Sequence, residues 1–162
     1  MFTLSRRQRE AMGTTTIRAE VEIQQTVSAV FAYCIDVSAW SRWQSRFAEV
    51  QQVTPGTFGL GTKIRTVTHG MGRNHEGTSE VTAFETDRQI RFSGASDVAS
   101  FESTWTFAQT PKGGARVEVQ TQFTPREGAL LARLVQPFVG GVFQRRLDAD
   151  LESMRLLLEN PV

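Results

Sequence analysis

The chain has one cysteine, two histidines and almost no net charge, and each shortage removes a class of function. Cys34 alone cannot close an intrachain disulfide, which suits a reducing compartment. With Val30, Phe31 and Ile35 close by in sequence, it is expected to be a buried, inert thiol. His69, His75 and Cys34 have no metal-ligand spacing, so no metal and no cofactor is expected. Lys and Arg total 18 against 17 Asp and Glu, and no basic run exceeds the pairs Arg6-Arg7 and Arg145-Arg146. Nucleic-acid surfaces depend on clustered positive charge that displaces counterions, so no nucleic acid is expected as a partner. No apolar run approaches the roughly 20 residues of a membrane span. Residues 1–13 carry Arg6, Arg7 and Arg9 with no apolar core behind them, unlike a secretory signal. The expectation is a cytoplasmic protein with no membrane span. Internal repeats and low-complexity tracts are missing too, which excludes solenoids.

What remains is a chain of 162 residues, 40% hydrophobic, long enough to bury one core. We expect a loose arm over 1–13 and a single domain over 14–160. Residues 14–24 alternate, with Ile17, Ala19, Val21 and Ile23 on one face and Arg18, Glu20, Glu22 and Gln24 on the other, as in a half-buried strand. Thr26 can cap a helix reaching about Asp36, with Val27, Val30, Phe31 and Cys34 at helical spacing. A short helical turn follows over 36–43. A strand from Phe47 ends at the turn Thr54-Pro55-Gly56, and further strands follow to about Phe123. In the last pair, Phe101, Ser103, Trp105 and Phe107 share one face, as do Ala115, Val117, Val119, Thr121 and Phe123 across the turn Pro111-Lys112-Gly113-Gly114. This reads as an antiparallel hairpin with one dry face.

The longest pattern is helical and fills the C-terminal stretch. Thr124-Pro125-Arg126-Glu127 has the form of a capping box. Leu130, Leu131, Leu134, Val135, Phe138, Val142, Phe143, Leu147, Leu151, Met154, Leu157 and Leu158 then recur at three- and four-residue steps, and Asn160-Pro161 ends the run. A rod of that length would span roughly 50 Å against about 33 Å for a ten-residue strand, so a bend is expected at Pro137 and Gly140-Gly141.

Strand, short helices, about six antiparallel strands and one long helix make an α+β fold: a curved sheet of about seven strands around a C-terminal helix. Here the chain resembles the START-like (SRPBCC) helix-grip superfamily, in its polyketide cyclase/dehydrase-like branch. The resemblance covers about 14–158. It rests on the opening strand leading into Thr26-Val-Ser-Ala-Val-Phe-Ala-Tyr-Cys-Ile-Asp36, on Trp40-Ser-Arg-Trp43, on Gly59-Leu-Gly61-Thr-Lys63 before a strand, and on Glu80-Val-Thr-Ala-Phe84 leading to Arg88-Gln-Ile-Arg-Phe92. It implies a cavity between sheet and helix for a hydrophobic small-molecule ligand, lipid or aromatic, with polyketide cyclisation in some branches. A homodimer is compatible with it.

The glycine motifs carry no nucleotide chemistry. Gly59-Leu-Gly61-Thr-Lys63 lacks the four-residue gap of a P-loop and precedes a strand, and after Gly70-Met71-Gly72 the third glycine is replaced by His75. There is no nucleophile–base–carboxylate set, so ordinary hydrolase logic fails. His75 shares a strand face with Gly77, Ser79 and Val81, and it is the candidate catalytic acid or base; otherwise it is a strand-end histidine near solvent. Ser79, Ser103, Trp105 and Thr121 from the sheet, with Phe138, Gly141 and Val142 from the helix, are the candidate ligand-binding residues. Trp40 is expected at the lip of the cavity and Trp43 in the core. Gly140-Gly141 either lets the helix bend or leaves space for a ligand. Three functions stay open: a carrier or sensor of a lipophilic molecule, a cyclase or dehydratase, and a protein-interaction module.

Overall fold

A computed structural model describes Ser5 and residues 13–70, 72–126 and 130–161, and for 130–139 it describes the backbone alone. The expected arm and Glu127 therefore lie outside the described residues, apart from Ser5 and Gly13. Seven strands form one sheet: β1 Thr15–Ile23, β2 Phe47–Gln52, β3 Lys63–Gly70, β4 Arg73–Glu85, β5 Gln89–Ser96, β6 Ala99–Gln109 and β7 Ala115–Pro125. Their order is β1-β7-β6-β5-β4-β3-β2, antiparallel throughout. Helix α1 spans Val27–Ile35, a 3-10 turn spans Val37–Ala39, α2 is the single turn Trp40–Trp43, and α3 is Leu130–Glu159. This is the helix-grip architecture, a curved open sheet with a long C-terminal helix.

Local chemistry explains the early elements. Thr26 accepts from the Ala29 backbone N–H at 3.2 Å and starts α1, and Asp36 accepts from the Ser38 N–H at 3.1 Å and starts the 3-10 turn. Alternation holds in β1, where Ile17, Ala19 and Ile23 are buried, and in β4, where Gly77, Ser79 and Val81 are buried while Glu76 and Glu80 are exposed. A β-bulge between Val81 and Ala83 shifts the register against β5. Gly94 in β5 is required by a close approach: a Cβ there would sit 2.5 Å from the Phe101 ring and from the Thr78 carbonyl oxygen.

One expectation about the C-terminal stretch is corrected. Thr124 and Pro125 do not start the helix; they continue β7, paired with Ser100 and Ala99, and the Thr124 hydroxyl meets that of Thr14 at 3.1 Å. Strand pairing across the sheet outweighs the local capping signal. Helix α3 is continuous through Pro137 and Gly140-Gly141, 30 residues and about 45 Å long. It lies along the edge strand β1, and a Cβ on Gly140 would approach Thr15 Cγ2 to 3.3 Å. Gly140 thus permits a close contact between helix and strand. Leu151 and Met154 of α3 are buried with Ile23, Val30, Phe31, Cys34, Ile64, Ile90 and Val117 in the core. The Cys34 thiol meets Met154 Sδ at 3.5 Å, and burial pushes its pKa well above the ordinary thiol value.

Candidate ligand site

Among the described residues, a small cavity lies between α3 and the sheet, built by three segments. Its floor is a cross-strand patch, since Ser103 pairs with Thr121, Trp105 with Val119, and Ile17 of β1 with Thr121. The roof is one face of α3, because Phe143, Arg146, Leu147 and Asp150 are spaced by three, one and three residues. The end wall is the chain leaving α2, with Trp43, Gln44 and Arg46. Asp150 ties roof to wall: buried itself, it accepts from the Ser45 backbone N–H at 3.1 Å and from the Ser45 hydroxyl at 2.9 Å.

The floor's polar groups are largely satisfied. Trp105 Nε1 donates to Ser103 Oγ at 3.1 Å, and the Ser103 and Thr121 hydroxyls lie 2.8 Å apart. Two hydroxyls carry two hydrogens and use one between them, so one is left for an acceptor. The wall is different. Among the described residues, the buried side-chain atoms without a hydrogen-bond partner are Trp43 Nε1, Gln44 Nε2 and Arg46 Nε, and all three residues line this cavity. An unsatisfied buried donor costs on the order of 1–3 kcal/mol, so three together call for an explanation. Burial lowers the Arg46 pKa, opposed by the nearby Asp150 carboxylate and reinforced by Arg146. The enclosed volume is about 20 Å³, room for one water-sized group.

Of the expected site residues, Ser103, Trp105 and Thr121 come together here. Trp40 and Trp43 both belong to the core cluster, as expected for Trp43 but not for Trp40. Both are buried, but Trp40 donates its Nε1 to the Cys34 carbonyl at 2.8 Å and packs among Phe47, Phe92 and Trp105, while Trp43 faces the cavity. The bond to the end of α1 draws Trp40 inward, so it forms no lip. Ser79 is buried on the inner face of β4 but does not line the cavity. Gly141 and Val142 are exposed; a Cβ on Gly141 would meet only Arg145 Nη1, at 3.8 Å, and neither residue lines the cavity. The Phe138 side chain lies outside the described residues.

His75 sits elsewhere, near the β3–β4 turn. Its Nδ1 lies 3.0 and 3.2 Å from the Asp97 carboxylate oxygens and its Nε2 lies 3.2 Å from the Gly70 carbonyl oxygen. Asp97 is also held by Arg73 at 2.9 Å. Both imidazole nitrogens therefore face acceptor oxygens, and His75 does not line the cavity. No group of three or more potential metal ligands occurs among the described residues. Gln44, Arg46, Arg146 and Asp150 were missed by the sequence reading. Phe143 and Leu147 belonged to the recognised stripe, and Ile17 and Val119 to recognised inner faces, but Gln44-Ser45-Arg46 lies in a connection with no period.

The sequence from 14 to 159 matches the family described as polyketide cyclase / dehydrase and lipid transport. The chain belongs to this family. Its fold is similar to that of TTHA0849 from Thermus thermophilus, with 19% identity, TM-score 0.71, and 86% of this chain and 94% of the other covered. It is also similar to the Zhui aromatase/cyclase from Streptomyces sp. R1128, with 14% identity, TM-score 0.73 and coverages of 88% and 92%. A START superfamily protein from Mycobacterium smegmatis aligns with 12% identity, TM-score 0.70 and coverages of 90% and 97%. No curated protein matches the sequence. Among the described residues, no helix is long and apolar enough to cross a membrane. The family member described here thus has a ligand-binding helix-grip fold with its described cavity at the α3–sheet junction.

Proposed function

We propose that this protein binds a lipophilic small molecule between α3 and the sheet, as a carrier or sensor that leaves its ligand unchanged. The observation that carries the reading is the pairing of apolar walls, from Trp105, Val119, Phe143 and Leu147, with buried donors that no described side chain satisfies. Binding sites combine such surfaces: a largely apolar body and a few polar groups that fix orientation. A cyclase needs more, namely a titrating group within hydrogen-bond reach of a substrate atom. The cavity's titratable side chains are Arg46, Arg146 and Asp150, and Asp150 is already engaged by Ser45. His75 lies outside this cavity, with its ring between the Asp97 carboxylate and the Gly70 carbonyl.

A volume of about 20 Å³ is far below the roughly 300–1,000 Å³ of ordinary ligand pockets. Uptake therefore requires α3 and the α2–β2 connection to move apart. The test is native mass spectrometry of freshly purified protein, followed by titration with a neutral naphthylamine-type fluorescent probe while tryptophan emission from Trp43 and Trp105 is monitored. A stoichiometric co-purified ligand, or saturable probe binding that quenches tryptophan, is expected. Retained probe binding in His75→Ala fits a carrier; turnover of a cyclisable polyketide that His75→Ala abolishes would replace it with a cyclase.

A further inference from the structure

We propose that the wall formed by Trp43, Gln44 and Arg46 is a carboxylate subsite, so that the ligand is an apolar acid whose head group is seated there and whose aryl or alkyl body lies along Trp105, Val119 and Phe143. This rests on the reading of the cavity as a ligand site and adds the chemical class of the ligand.

All three unpartnered atoms are nitrogens that can only donate. The hydrogen left over from the Ser103–Thr121 hydroxyl pair adds a fourth donor. A ligand ammonium would leave every one of them unsatisfied, so the head group must be an acceptor. A single water has two lone pairs and cannot serve three or four donors, whereas a carboxylate offers about four acceptor positions on two oxygens.

Charge separates a carboxylate from a neutral carbonyl. Arg46 and Arg146 both line the cavity against one carboxylate, Asp150, whose Oδ1 takes two hydrogen bonds from Ser45. The lining therefore carries one net positive charge. Trp43 and Gln44 are each only 3% exposed, so a bound anion would be screened from water and its charge-assisted hydrogen bonds would be short and strong. The aromatic and aliphatic walls fit an apolar body.

The test compares matched probes on the intact protein by tryptophan fluorescence and calorimetry at neutral pH: dodecanoate and naphthoate, their methyl esters, and dodecylamine. Wild-type protein is expected to bind each acid about tenfold or more tightly than its ester, as two charge-assisted bonds allow, and to bind the amine weakest. Gln44→Met removes one donor at similar volume and Trp43→Phe removes another with a smaller ring, and both are expected to shrink the acid-over-ester preference several-fold. The melting temperature of Gln44→Met should hold or rise, because an uncompensated donor is removed, while that of Trp43→Phe should fall modestly through lost ring packing. That readout separates a lost head-group contact from a lost fold. Equal affinity for acids, esters and amine would overturn the carboxylate subsite and leave the binding reading standing. Saturable binding of esters with no binding of acids would do the same. Failure of every probe to bind would overturn both. An acid preference unchanged in both variants would place the head group elsewhere and overturn the assignment to this wall.

Discussion

Gln144 holds both backbone groups of Arg18: its Nε2 donates to the Arg18 carbonyl oxygen at 2.7 Å, and its Oε1 accepts from the Arg18 N–H at 3.2 Å. A side-chain amide thus takes the place of a neighbouring strand on β1, the edge of the sheet. Exposed edges invite pairing with other chains, and covering them is one way proteins avoid it. Gln144→Ala should cost about 1 kcal/mol of stability for the lost bonds. Urea unfolding would measure that, and hydrogen exchange should show the Arg18 amide exchanging faster. An unaltered exchange rate at Arg18 would show that the helix covers the edge without this contact.

The two adjacent glycines of α3 should respond oppositely. Gly141 is exposed and has open space around it, so Gly141→Ala should stabilise by up to about 1 kcal/mol through helix propensity. At Gly140 the same methyl group would lie 3.3 Å from Thr15 Cγ2, and the resulting crowding should cancel or reverse the gain. Thermal unfolding of the two single variants decides it. Gly141→Leu should still take up an apolar probe with wild-type affinity, because its side chain would point away from the cavity.

Acid should weaken the β3–β4 end first. The hydrogen bond from His75, with the charges of His75 and Arg73, holds the Asp97 carboxyl below its ordinary value of 3.8. Arg65 does the same for Glu76. A carboxylate with a depressed folded-state pKa contributes stability that is complete above its unfolded value and lost as pH falls through the folded one. Between about pH 4 and pH 2, the urea midpoint of the wild type should therefore fall more steeply than that of Asp97→Asn. Parallel curves would show that the pair contributes nothing.

Cys34 should be silent until the core opens. The thiol is fully buried, its pKa is raised by desolvation, and it lies against Met154 of α3. Aromatic disulfide reagents at mildly alkaline pH should leave the native thiol unmodified and label it on unfolding in urea. Labelling of native protein at the rate of a free thiol would mean that α3 releases the core frequently. A ligand that props α3 away from the sheet should raise the labelling rate above that of the unliganded protein.

The order of elements was legible because each rests on local chemistry. Alternation in β1, β6 and β7, the Thr26 cap, the turns between strands and the three- and four-residue stripe of α3 depend on residues close in sequence, and the helix-grip arrangement follows from their order. Ser103, Trp105 and Thr121 could be grouped for the same reason: they share the inner face of one hairpin, which lines the cavity. The end of β7 could not be read, because Thr124-Pro125 is a good helix start taken in isolation and becomes a strand only when Ala99 and Ser100 are alongside. Trp40 and Trp43 look equivalent in the chain, and only the Cys34 carbonyl, brought near by the fold, distinguishes them. Gln44, Arg46 and Asp150 are the clearest case. Nothing in their spacing marks them, since a buried donor without a partner is a property of the packed surroundings, and those exist only once α3 has closed over the sheet.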